Sequence, residues 1–175
     1  MSKTALYACL AALLPAALLP ASQASAQDAW PTRPVTIIVP FAAGGNTDLF
    51  GRLLADEMSK TFGQPFVVEN KPGAGGGIGT EQLARAEPDG YTLGMGTVGT
   101  HAINPWVFKD LGYDAETDFA PISLAATLPN LLVVNPSFPA KSVPELIALL
   151  KAEPEGHSYA SSGFGTSIHL AAAAF

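Results

Sequence analysis

Between residues 35 and 97 the chain alternates three short apolar, β-branched runs with two helix-forming segments, a rhythm that restricts the fold more than any other feature. Val35–Phe41 (VTIIVPF) has the length and composition of a buried strand. A helix is expected from about Thr47 to Phe62. Leu49, Phe50, Leu53, Leu54, Met58 and Phe62 then form an apolar face at helical spacing, and Gly63 is placed for a left-handed C-terminal cap. PFVVEN (65–70) reads as a second strand and KPGAGGGIG (71–79) as a glycine loop. TEQLARA reads as a short helix, Asp89-Gly90 as a turn and YTLGMGT (91–97) as a third strand. Strand–helix–strand–helix–strand predicts a parallel α/β sheet, and such sheets bind ligands beyond the carboxyl ends of their strands.

From about residue 119 the rhythm changes. FAPISLAAT and NLLVVNPS are two strand-like runs with no helix between them, which predicts a crossing into a second lobe. SVPELIALLKAEPEG returns to helix, with Ser142 and Glu145 spaced for a capping box and Pro144 in the first turn. HSYASSG (157–163) reads as another strand and GTSIHLAAAAF as the opening of a helix, inside which the sequence stops. These features divide the chain into residues 1–26, a first part of one lobe (27–125) and a partial second lobe (126–175). The expectation is the N-terminal portion of a longer protein.

Residues 1–26 read as a secretory signal peptide. Lys3 gives a basic start, ALYACLAALLPAALL is apolar, and Ala24 and Ala26 flank Ser25 as a small-x-small cleavage site. Pro15 and Pro20 and the short apolar length argue against a membrane span. Removing the signal removes Cys9, the one cysteine, so disulfide, thiol nucleophile and thiolate metal chemistry are not expected. It also leaves eight basic against fifteen acidic residues, a net charge of −7. A nucleic-acid partner wants the opposite sign.

AAGG (42–45) puts accessible backbone N–H groups at a strand end, directly before a helix start. Converging N–H donors and about half a positive charge from the helix dipole make such a corner suited to anions, and small residues permit close approach. SSGFGTS (161–167) repeats the design with hydroxyls from Ser161, Ser162, Thr166 and Ser167, and GTVGT (96–100) offers a third corner. Asp48 suits either a helix cap or a brace for the AAGG loop that could also accept from a ligand. Other motifs fail on context. GAGGGIG misses the dinucleotide register; GMGTVG fits it, but Pro105 stops the helix it would need; there is no G-K-[ST]. His101, His157 and His169 are too scattered for a metal site. Ser162 with His169 leaves an exported serine hydrolase as the alternative, without a nearby acidic third member.

WPTRPVTIIVPFAAGGNTD, VVENKPGAGGGIGTEQLARAEPDGYTL, DFAPISL, SVPELIALLK and YASSGFGTSIHL together resemble the solute-binding receptors of tripartite tricarboxylate transporters, the Bug-type proteins. The resemblance implies a two-lobed, type II, Venus-flytrap-like periplasmic binding protein with parallel-rich sheets. It implies capture of small organic carboxylates and their delivery to membrane transporter subunits; the signal, the paired corners and the lack of a catalytic set lead to the expectation of a monomeric receptor without catalysis or cofactor. By motif it carries ligand contacts onto Phe41, Ala43, Gly44, Gly45 and Asp48 in the first corner, onto Ala74 and Gly75 in the glycine loop, and onto Thr97. In the second lobe it carries them onto Ser161, Ser162, Gly165, Thr166 and His169.

Overall fold

The computed structural model describes residues 30–175; the expected signal peptide over 1–26, the expected cleavage site and Cys9 lie outside the described residues. Strand β1 (Val35–Val39) is the middle of three parallel strands, in the order β2-β1-β3 with β2 (Phe66–Asn70) and β3 (Thr92–Gly94). Val35 pairs with Phe66 and Val39 with Asn70, while Thr36 to Ile38 pair with Thr92 to Gly94. Val35, Ile37, Ile38 and Val39 are almost wholly buried. A central parallel strand is covered on both faces, hence the unbroken apolar run. The strands are shorter than their sequence runs because pairing ends where the chain turns into each loop.

Helix α1 (Asn46–Phe62) lies on the face that carries Val35, Ile37 and Phe66. It ends as the sequence implies: Gly63 adopts φ 69° and its N–H donates to the Ser59 carbonyl. Its buried face differs from the expected one. Asp48, Gly51 and Ala55 are buried and Met58 joins the core, whereas Leu49 and Leu53 remain more than half exposed. The small stripe lets the helix approach the strand closely: a Cβ at Gly51 would lie 2.8 Å from Val39 Cγ2. Close contact therefore selected Gly51 and Ala55 over the leucines.

Helix α2 (Gly77–Ala84) begins earlier than expected, directly after a 3₁₀ turn at Ala74–Gly76. It lies beside the other face of the sheet. There Thr36, Ile38, Glu69, Thr92, Ile78 and Arg85 line part of a groove of about 540 Å³. Beyond β3 a π-type turn (Gly99–Ile103) runs into the four-residue α3 (Asn104–Val107), which holds Pro105 in its first turn. No dinucleotide-type crossover helix forms there.

In the second part of the chain both helices form. They are α4 (Val143–Ala152), with Ser142 Oγ accepting from Glu145 N, and α5 (Ser167–Ala174), with Thr166 as its N-cap. The three strands expected within 119–127, 130–137 and 157–163 do not. These segments form no regular structure, with Ile122, Leu131 and Val133 about four-fifths exposed. A helix closes its hydrogen bonds within itself, but a strand needs a partner. Among the described residues none is alongside.

Candidate functional site

The first corner forms where β1 ends. Pro40 is buried, Phe41 half-buried, and Ala42 to Gly45 are exposed before α1 starts. Gly45 is the N-cap and contributes no side-chain hydrogen bond. Gly45 thus brings no side-chain acceptor to the first-turn amides of α1, which have no intrahelical acceptor. Gly44 is not one of the free donors: its N–H donates 2.8 Å to Asp48 Oδ2.

Asp48 is thus turned inward as a brace. Its Oδ2 also accepts from Arg52 Nε at 3.0 Å, and its Oδ1 accepts from Asn70 Nδ2 at 2.9 Å. Asn70 Nδ2 reaches the Phe41 carbonyl at 3.0 Å, and Arg52 Nη2 donates to Asn70 Oδ1 at 3.0 Å. Asp48, Arg52 and Asn70, from α1 and β2, thereby hold the loop at Phe41 and at Gly44. The Arg52 hydrogen bond, then those from Gly44 and Asn70, hold the Asp48 carboxyl at about 2, against an ordinary 3.8. Arg52 and Asn70 were missed in the sequence. The i,i+4 spacing of Asp48 and Arg52 was a usable signal; the Asn70 role depends on the Val39–Asn70 register.

The glycine loop and third corner meet at Asn104, which is fully buried. Its Nδ2 donates to the Gly75 carbonyl at 3.2 Å and reaches the Tyr113 hydroxyl at 3.4 Å; Tyr113 in turn donates to the Thr100 carbonyl. Asn104 Oδ1 has no partner among the described residues, and an orphaned buried acceptor costs roughly 1–3 kcal/mol. Thr97 spends its N–H on Thr100 Oγ1 at 2.9 Å, so the third corner is tied within itself rather than open. Thr100 Oγ1 lies 2.8 Å from His101 Nδ1, and burial pushes the His101 imidazole below its ordinary pKa. Ala74 is exposed with φ 48°.

The second corner packs onto this hub. A Cβ at Gly75 would collide with the Phe164 carbonyl oxygen, and one at Gly165 would come within 2.9 Å of both Asn104 Oδ1 and Phe108. Phe108 and Phe164 meet edge to face at 5.8 Å. Thr166 is buried; its hydroxyl donates to the Gly163 carbonyl at 2.7 Å and accepts from His169 N. Ser161 Oγ accepts from Gly163 N, and Ser162 is exposed. His169 lies against Phe164 at 4.8 Å, and its Nδ1 is buried without a partner among the described residues.

The structure thus sets Gly75 against Phe164 and Asn104, and Gly99 against Gly165 and Thr166, with Phe41 reaching the same region beside Gly76. Ala43, Gly44 and Gly45 stand open to solvent at its margin. The groove on the far sheet face is a poorer place for an anion, because Glu69 and Glu81 border it and Arg85 is already paired with Glu81.

Residues 50–175 match the model of the tripartite tricarboxylate transporter family receptor. The chain belongs to that family. Protein BugT of Bordetella pertussis is 38% identical over 144 residues, which is 82% of this chain and 44% of BugT. Among solved structures, an R. palustris protein with adipate superposes with TM-score 0.79 and 43% identity, over 82% of this chain and 48% of that one. MatC from Rhodopseudomonas palustris with bound malate gives TM-score 0.74 and 41% identity, over 78% and 47%. The fold is the parallel α/β fold of these solute-binding proteins. The chain spans about half the length of the relatives it matches.

Proposed function

We propose that the full-length protein is a two-lobed periplasmic receptor that captures small organic carboxylates for a tripartite tricarboxylate transporter. The observation that carries this reading is the start of α1, where the N-cap Gly45 brings no side-chain cap and the buried Asp48 is engaged by Gly44, Arg52 and Asn70. Main-chain N–H groups there suit a carboxylate at about 2.9 Å. Salt screens the acidic surface beyond about 8 Å, so local donors govern affinity. Malate and adipate in two relatives support the same ligand class.

In this reading residues 27–125 belong to the first lobe and 126–175 to the second. Residues 1–26 are removed on export, and the receptor acts as a monomer. Phe41, Ala43, Gly44, Gly45, Ala74, Gly75 and Thr97 bound the ligand from one side, and Ser161, Ser162, Gly165, Thr166 and His169 from the other. Asp48 supports the first set from behind. The reading contains no catalytic step, and its partners are the transporter's membrane subunits.

Calorimetry of the full-length mature protein against mono-, di- and tricarboxylates, amino acids and sugars tests it. Saturable heat with at least one carboxylate is expected. Binding confined to a sugar or a cation would overturn it.

A further inference from the structure

We propose that Arg52 and Asn70 are positioning residues for the carboxylate site, with separable tasks. Asn70 fixes the loop that presents the amides, and Arg52 cancels the charge of Asp48 so that an anion can sit beside it. The inference rests on the carboxylate reading above and deepens it.

Asp48 poses an electrostatic difficulty for an anion site. Its side chain is 4% exposed and lies 2.8 Å from Gly44 N, next to the first-turn amides. A ligand carboxylate on those amides would lie within one screening length, about 8 Å, of this buried negative charge. Alone, Asp48 would repel the ligand that the helix start attracts. Arg52 answers this from one turn further along α1: its Nε pairs with Asp48 Oδ2 at 3.0 Å, leaving the site nearly neutral.

Geometry explains why the cation is an arginine. One guanidinium spans two partners, Asp48 through Nε and Asn70 Oδ1 through Nη2. A lysine ammonium supplies charge at a point but lacks this planar fork. Asn70 does what a carboxylate could not. It accepts from Arg52 through Oδ1 while its Nδ2 lies within hydrogen-bond reach of the Phe41 carbonyl and of Asp48 Oδ1. Its position follows from pairing with Val39, which puts it at the carboxyl end of β2 beside the loop.

The two tasks predict different affinity patterns in the full-length mature receptor, measured by calorimetry with malate, adipate, citrate and acetate. Asn70→Ala should weaken every carboxylate that binds by a similar factor, about tenfold, the value of a lost charge-assisted contact. Arg52→Ala should weaken binding in a graded way, by about fivefold more for each further ligand charge, with the gradient flattened at high salt. Arg52→Lys should restore the even pattern while keeping the common loss. A role confined to folding would lower the melting temperature and the active fraction without grading affinity by ligand charge.

If wild type binds no carboxylate, the proposed function falls. If it binds and both alanine variants bind equally well, the positioning inference falls. An Arg52→Ala loss that is the same for acetate and citrate overturns the charge-cancelling role.

Discussion

Gly45 is the position at which a single side chain interrogates the amide corner most cleanly. Its φ of −80° suits any residue, and a Cβ there would meet only the Ala42 carbonyl oxygen, at 3.6 Å. Gly45→Val is therefore expected to weaken carboxylate binding at least tenfold while moving the melting temperature by no more than about 2 °C, the size of a sub-kilocalorie change. Gly44→Val is a poorer probe: Gly44 has φ 86°, so any side chain strains the loop before it reaches a ligand. Asp48 gives a pH prediction with a definite sign. Its carboxyl is held at about 2 in the folded protein against 3.8 ordinarily, so the stabilisation is complete above about pH 4. It is lost as the pH falls towards 2, where the folded state must also take up the proton. Asp48→Asn should flatten that part of a denaturation curve measured between pH 5 and 2. An unchanged slope would show that the brace contributes nothing to folding.

At the level of elements, local chemistry and close packing contribute differently. The start of α4 is a local device: Ser142 accepts from Glu145 N, and Glu145 Oε2 accepts in return from Lys141 N at 2.7 Å. Ser142→Ala should cost about 1 kcal/mol, read as a lowered melting temperature of the full-length protein, with ligand affinity unchanged. α1 instead depends on contact with the sheet. Gly51→Leu would drive a side chain into Val39 and should destabilise by roughly 1–3 kcal/mol, whereas Leu53→Gln on the exposed side should be near neutral. Paired denaturation curves check the contrast. The helical spacing of Leu49, Phe50, Leu53 and Leu54 is plain in the sequence, but periodicity weights side chains by apolarity. The sheet selected the face by how near the backbone could come.

Across the whole molecule, loops far apart in sequence converge on Asn104. Gly75 and Gly165 both touch this one buried amide because neither carries a side chain. Gly75→Ala would collide with the Phe164 carbonyl and is expected to raise amide exchange across residues 161–166 while leaving β1 protected. Hydrogen exchange read by mass spectrometry checks it, and unchanged exchange there would mean that the two corners do not depend on each other. The sequence by itself determined what is local or periodic: the three parallel strands, four of the five helices, the Gly63 and Ser142 caps, and the small-residue corners before two helix starts. Those follow from β-branching, capping chemistry and backbone freedom within a few residues. Only the tertiary structure decided that Asn70 completes the brace behind Asp48, that Gly75 and Gly165 meet at Asn104, and that three strand-like runs stay unpaired. Each of these depends on which distant backbone or side chain lies within about 3 Å, a distance that strand register and helix approach set and that no spacing along the chain encodes.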